Sequence, residues 1–190
     1  MLKIATHNSA TGEKPTWYSW ILTPFARCQG KTIKKQYEAG CRLFDIRIKL
    51  IRGKWKSAHG IWITKRSVED ILSELNGFQD TCHVTLTYEG GADHNSEFLE
   101  FVKRIKAEYT NNKYGPVAVK YGKDSSGIEV KYDYILDADA DWLDAPTRSH
   151  FVALDGKNWQ TYIPIPWLWK KIYYNKPDFR EDIYTYVDFL

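Results

Sequence analysis

Apolar and polar residues alternate along several stretches of the chain, which is the pattern of half-buried β-strands. The clearest stretch is residues 41–51, where Asp45 and Arg47 fall between apolar neighbours and therefore share one face. A second alternation, over residues 82–88, also leads into an acid, Glu89. The pattern predicts two strands that are apolar on one side and polar or charged on the other.

Shorter apolar runs predict further strands, and polar side chains follow these as well. Residues 2–8 form the first predicted strand, which delivers His7 and Asn8 at its carboxyl end. A later strand ends at Asp155, in an Asp-Gly pair. The last strand places Asp188 two residues from the C-terminus. Candidate functional groups therefore collect at strand ends.

Apolar residues at helical spacing predict helices between these strands. A short helix over residues 32–39 ends before Gly40. A second over residues 67–75 begins with Ser67 in a capping box, and a third covers residues 95–110. The segment between the first strand and the first helix is rich in glycine, proline and tryptophan, so we expect a long loop there. Strands alternating with helices indicate α/β organisation.

Composition narrows the class of protein. The chain has 190 residues, 43% hydrophobic and 27% charged, without a repeat or linker, so we expect one globular domain over residues 1–190. A formal charge of +3, dispersed along the chain, argues against a nucleic-acid partner. The sequence contains no signal peptide or long apolar stretch, which predicts a cytoplasmic protein unless a leader was removed. Its three cysteines lack metal-ligand spacing, which predicts reduced thiols.

The charged face of residues 41–51 has two interpretations. It is either the wet side of a strand, or the lining of a barrel or cleft, where charges must pair or meet a ligand. Two histidines bear on the choice, because His7 closes the first apolar run and His59 follows a predicted turn. Cleavage of a phosphodiester requires such groups, since one imidazole accepts a proton, the other donates one, and a guanidinium binds the phosphate.

Five stretches, in the same order, resemble segments of the phosphatidylinositol-specific phospholipase C-like phosphodiesterases. They are THNSATG, QYEAGCRLFDIRIK, SAHG, VTLTYEG and VDFL. The resemblance runs from near the N-terminus to near the C-terminus, and it implies a TIM-type (β/α) barrel. A full eight-stranded barrel takes about 250 residues, so we expect a trimmed or distorted one.

The resemblance implies a role for each matching residue. His7 would be the general base and His59 the general acid. Asp188 would hold the first histidine in the required tautomer, and Arg47 would balance negative charge on the phosphate. The implied activity is that of a hydrolase or lyase acting on phosphatidylinositol or a related phosphodiester, and we expect a monomer.

One position departs from the calcium-dependent relatives. These relatives place an asparagine after the first histidine and acids at the positions of Asp45, Arg47 and Glu89, whereas this chain has a guanidinium at the central position. A guanidinium repels a divalent cation, so we predict metal-independent chemistry without a cofactor, with calcium as the alternative. Asn8 would assist phosphate binding, and the two acids would hold Arg47 by ion pairs.

Other residues have both a functional and an ordinary interpretation. Tyr88 could stack on an inositol ring or pack in the core, and Asp155 could bind substrate hydroxyls or form a turn. Trp17, Tyr18 and Trp20 in the long loop could contact a bilayer as a peripheral surface. The alternative function is a catalytically weak or inactive module that binds a phosphorylated sugar or lipid headgroup.

Overall fold

The computed structural model describes residues 2–90, 94–119, 122–123, 129–130, 133–135, 147–150, 177–188 and 190. The described strands are β1 (Ile4–Thr6), β2 (Cys41–Ile51), β3 (Lys54–His59), β4 (Trp62–Ser67), β5 (Cys82–Tyr88), β6 (Asn112–Val119), β7 (Gly122–Lys123), β8 (Glu129–Val130), β9 (Asp133–Ile135), β10 (Thr147–His150) and β11 (Tyr184–Val187). The described α-helices are α1 (Thr23–Ala26), α2 (Ile33–Glu38), α3 (Val68–Asn76) and α4 (Asn95–Glu108). None of these helices is both long and apolar enough to cross a bilayer.

The protein has mixed α/β organisation around one large sheet. The strand order is β10-β11-β1-β2-β5-β6-β9, and the β3-β4 hairpin extends from β2. The strands from β10 to β6 are parallel to their neighbours along this path, so their carboxyl ends meet at one edge of the sheet. Among the described residues no pairing joins β10 to β9, and this part of the sheet is open.

Strand β2 has the predicted alternation. Phe44, Ile46 and Ile48 are wholly buried in the main core, which α3 and α4 cover. Ala5 and Leu43 belong to a smaller apolar cluster with residues of β11. Leu43 points to the same face of β2 as the charged residues. The charged face of the strand is therefore also covered rather than facing open water.

The β2-β3-β4 hairpin depends on positive φ angles at its turns. Arg52 and Gly53 have φ values of 51° and 73°, as the two central residues of a tight hairpin turn require. Gly60, with φ of 59°, opens the next turn, directly after His59. Strand β4, which the sequence interpretation did not include, returns from this turn and leads into Ser67, the N-cap of α3.

The predicted helices are present with small differences in their ends. Ser67 and Asp70 form both hydrogen bonds of the capping box of α3. Thr32 caps α2, and Gly40, with φ of 96°, follows that helix. The segment expected as a long loop contains only short helical turns, including α1. Local capping signals therefore fix where α2 and α3 begin.

Strand β6 contains a Gly-Pro pair. The strand starts at Asn112, and Gly115 and Pro116 lie inside it. The register with β5 shifts at this pair, where two residues of β6 oppose one of β5. Because proline has no N–H to donate, such an irregular position accommodates it inside a strand.

Candidate active site

The first part of the site joins the ends of β1 and β11. The backbone N–H of His7 donates to the carbonyl of Val187 at 3.0 Å. The Nδ1 atom of His7 lies 2.7 Å from the Oδ1 atom of Asp188, which is buried. Because an ionised carboxylate can only accept, Nδ1 carries the proton in this pair. In the neutral ring, Nε2 is then the acceptor.

Arg47 lies against the other side of the His7 ring. Its Nη2 atom contacts Nε2 of His7, while Nη1 donates to Glu89 at 3.0 Å and Nε donates to Asp45 at 3.4 Å. Burial by itself would lower the pKa of Arg47, but the two carboxylates outweigh it and raise this pKa. The expected ion pairs of Arg47 with both acids are thus present, and the guanidinium is charged and held from two sides.

His59 stands at the end of β3 and is held by a loop. Its Nδ1 atom donates to the carbonyl oxygen of Ala26 at 2.8 Å, so Nε2 is the nitrogen that can exchange a proton. Burial lowers the pKa of His59 below its ordinary value, with smaller contributions in the same direction from Arg47 and His7. The hydrogen bond to Ala26 and the charge of Glu89 oppose this shift.

Glu89 connects the two parts of the site. One carboxylate oxygen accepts from Arg47, and the other accepts from the backbone N–H of Gly60 at 2.8 Å. The backbone N–H of Glu89 in turn donates to the carbonyl of Ile48. The end of β5 therefore fixes both the guanidinium and the turn that follows His59.

Asn8 has an unusual backbone and an unsatisfied amide oxygen. Its φ and ψ are both 48°, a left-handed conformation that asparagine tolerates better than most residues. Its backbone N–H donates to Asp45 at 3.1 Å, and its Nδ2 atom lies 3.1 Å from Nε2 of His7. Its Oδ1 atom is buried without a hydrogen-bond partner among the described residues. A strained polar residue of this kind is typical of functional sites.

Tyr88 does not belong to the site. Only 1% of the side chain is exposed, and its ring packs near Trp55 and Phe98 in the main core. The alternation of β5 explains this, because Tyr88 points to the opposite face from Thr87 and Glu89. The expectation of ring stacking on a substrate is therefore wrong. Asp155, the other predicted substrate contact, lies outside the described residues.

The loop after α1 supplies contacts that the sequence interpretation missed. Next to the Ala26 carbonyl at the end of α1, this loop brings in the buried thiol of Cys28, and potential ligand atoms of Cys28, His7 and Asp188 lie within 4.8 Å of one another. Burial raises the pKa of the thiol, and the adjacent guanidinium of Arg47 repels cations, so both oppose metal binding there. No spacing or composition signal in this irregular loop indicates these contacts.

Exposed apolar residues lie on the segment that includes α1 and on the turn that follows His59. Trp20 and Ile21 are each 71% exposed and line a groove of about 480 Å³. Trp17, Phe25 and Ile61 are exposed as well. The groove adjoins α1, whose last carbonyl accepts from His59. We call these five residues the apolar rim.

Comparison with known proteins gives only remote likeness, at the level of solved structures. No protein-family model matches the chain. No curated protein matches it. Among solved structures, the phosphatidylinositol-specific phospholipase C from Listeria monocytogenes is similar, with a TM-score of 0.46 and 13% identity over 98% of this chain and 72% of that chain.

Proposed function

We propose that this protein cleaves phosphodiesters by general acid–base catalysis, with His7 as the base and His59 as the acid. One observation carries the proposal: the His7 ring is held by Asp188 at 2.7 Å through Nδ1 and meets Arg47 through Nε2. A proton acceptor is thus adjacent to a phosphate-binding group, at the edge of the sheet where the parallel strands end.

In the first half of the reaction, the phosphate takes over hydrogen bonds of Arg47, because a charged acceptor is stronger than a neutral imidazole. Nε2 of His7 then accepts the proton of the attacking hydroxyl, whose oxygen bonds to phosphorus. Asp188 stabilises the imidazolium that forms. Arg47 and the amide of Asn8 bind the phosphate oxygens on which negative charge grows.

In the second half, the bond from phosphorus to the leaving oxygen breaks. His59 donates the proton on Nε2 to that oxygen, so the alcohol leaves neutral. A hydroxyl of the substrate as nucleophile gives a cyclic diester, and water gives a monoester. His7 ends the step protonated and His59 ends it neutral, so proton exchange with water restores both.

We further infer that the substrate is presented by an anionic lipid surface, as phosphatidylinositol is. The apolar rim supports this, since aromatic and aliphatic side chains of this kind insert at bilayer interfaces. The charge of the segment that carries most of the rim supports it too, because residues 14–37 contain five Lys or Arg and no acid. Each basic residue near an anionic surface contributes about 1 kcal/mol of attraction.

For the fold, we infer a trimmed barrel. The strand order supports this, because the last strand, β11, pairs in parallel with the first, β1, and the path continues from β2 to β5 and β6 in chain order. Such a cyclic order, with helices on the outer face, is what a (β/α) barrel has.

The direct test of the activity is incubation with phosphatidylinositol vesicles, with and without a chelator, followed by phosphorus NMR. We expect a cyclic inositol phosphate signal that survives the chelator and is absent with His7→Ala. Loss of the signal in chelator would favour calcium chemistry. No turnover of lipid or soluble diesters, together with calorimetric binding of an inositol phosphate, would favour the binding module.

The lipid surface is tested by co-sedimentation with vesicles. Ile21→Ser removes an apolar rim side chain and should weaken binding to phosphatidylinositol vesicles about tenfold, by analogy with losing part of a buried Ile side chain. Leu2→Ser is the matched control, because Leu2 is 45% exposed but precedes β1 at the opposite edge of the sheet. Equal binding by both variants and the native protein would contradict the proposal.

A further inference from the structure

The side chain of Gln29 hydrogen-bonds to three backbone groups near the ends of β1 and β11. Its side chain is wholly buried in the loop after α1. The amide nitrogen donates to the carbonyl of His7 at 2.9 Å and to the carbonyl of Val187 at 2.7 Å. The amide oxygen accepts from the backbone N–H of Leu190 at 3.3 Å. Both donor hydrogens of the amide are therefore used.

These two carbonyls belong to the strand ends that carry the dyad of His7 and Asp188. The pairing of β1 with β11 ends at Thr6 and Val187, and the N–H of His7 makes the last backbone bond between them. Asp188 lies one residue further on. The amide of Gln29 bridges the ends of these two strands, so a side chain adds hydrogen bonds where the backbone pairing stops.

Gln29 is itself held firmly by the loop and by the 3-10 turn over Ser9–Gly12. Its backbone N–H donates to Oγ1 of Thr11 at 3.0 Å, and its carbonyl accepts from Arg27 at 2.8 Å. Thr11 in turn donates to the carbonyl of Asn8 at 2.7 Å. The Gln29 side chain, which we call the clamp, is thus anchored on the segment that directly follows His7.

We propose that Gln29 is a positioning residue that sets the separation of His7 and Asp188 by tying the ends of β1 and β11 together. Its effect on turnover rests on the proposed function, whereas its effect on the dyad does not. A misplacement of about 1 Å in a catalytic group can cost about 100-fold in rate. Loss of the clamp therefore lowers kcat and leaves substrate binding by Arg47 in place.

The test compares Gln29→Met with a matched variant, Gln36→Met. Gln36 is also wholly buried, and its amide donates to the carbonyls of Ser9 and Lys31 at 2.8 and 2.7 Å. Each variant loses two amide-donor hydrogen bonds of similar length, and Gln29→Met also loses the bond that its amide oxygen accepts from Leu190. Only Gln29→Met touches the ends of β1 and β11. Unfolding in urea measures the shared structural cost.

Two readouts separate positioning from stability. The Nδ1 proton of His7, assigned by its absence in His7→Ala, should move upfield in Gln29→Met and keep its position in Gln36→Met. The value of kcat should fall up to about 100-fold in Gln29→Met with little change in KM. If the first variant does not fold, Gln29→Asn, which keeps the amide on a shorter stem, should give the same changes to a smaller degree.

An unchanged His7 proton and unchanged kcat in a folded Gln29 variant would overturn the inference, as would equal changes in the Gln36 control. If the native protein turns over no diester while the His7 proton still responds only to the Gln29 variant, the proposed function fails and the positioning role stands.

Discussion

The two histidines of the site are held by chemically different partners. Both are fixed through Nδ1, so both present Nε2 for proton exchange, but His7 meets the carboxylate of Asp188 at 2.7 Å and His59 meets the neutral carbonyl of Ala26 at 2.8 Å. The first partner directly follows β11 of the sheet, and the second is the last residue of α1.

This difference supports the proton direction that we propose for each histidine. A carboxylate on Nδ1 stabilises the charged ring that forms when Nε2 accepts a proton, which suits a general base. A carbonyl gives less stabilisation, and burial lowers the pKa of His59, so its charged ring gives up a proton readily, which suits a general acid. Under the proposed function, the two histidines therefore take opposite roles because their surroundings differ.

The largest effect that tests this comparison uses two diesters with the same headgroup, one with an alkyl leaving group and one with p-nitrophenol. His7→Ala should reduce turnover of both by about 1,000-fold, because removal of the base affects every substrate. His59→Ala should show a comparable loss on the alkyl diester but about tenfold or less on the other, because nitrophenolate leaves without a proton.

His94→Ala is the control for these steady-state rates. His94 is exposed and pairs with Glu97 at the start of α4, so its replacement should leave both rates unchanged. If His7→Ala, rather than His59→Ala, recovered turnover on the p-nitrophenyl diester, the two roles would be reversed.

Sequence patterns predict the parts of this arrangement that depend on local signals. The alternation around Asp45 and Arg47 is enough to predict a strand with one charged face, and Ser67 is enough to predict the start of α3. Parallel strand ends then predict that His7, Arg47 and Asp188 approach one another. Each of these inferences needs only the period of an element or the residue at its end.

The remaining contacts depend on tertiary structure. The Ala26 carbonyl and the amide of Gln29 reach the site only because an irregular loop folds back over it, and no periodicity describes that path. Tyr88 differs, because its sequence context allowed either ring stacking on a substrate or core packing, and the structure places its ring in the core. Loop contacts and face assignments near strand ends are where sequence interpretation loses precision.

A second test follows from the lowered pKa of His59. The general acid must be protonated, so kcat/KM for the alkyl diester should fall as the pH rises through a pKa below the ordinary value of 6.5, by about tenfold per pH unit. The same limb should be absent from turnover of the p-nitrophenyl diester, which does not need the acid. If kcat/KM fell with pH in the same way for both substrates, measured across pH 5 to about 8, the result would contradict the assignment.

The smallest effect concerns stability and a third histidine, His83 of β5, which has no role in the proposed chemistry. Burial lowers the pKa of His83 to about 4, and the charge of Lys113 adds to the shift. Between pH 6.5 and about 4 the unfolded chain therefore binds a proton that the folded protein does not, so the free energy of unfolding falls as the pH falls.

His83→Gln should reduce this fall in the free energy of unfolding by about 1–2 kcal/mol. The value is smaller than the pKa shift alone would give, because solvent screens a ring that is only partly buried. His94→Gln is the control, since it replaces an exposed histidine and should keep the native pH dependence. Urea unfolding at pH 6.5 and about 4 measures the difference, and the dependence that remains reports His59 and the carboxylates. Equal pH dependence in both variants would mean that water reaches His83, and that burial alone does not distinguish it from His94.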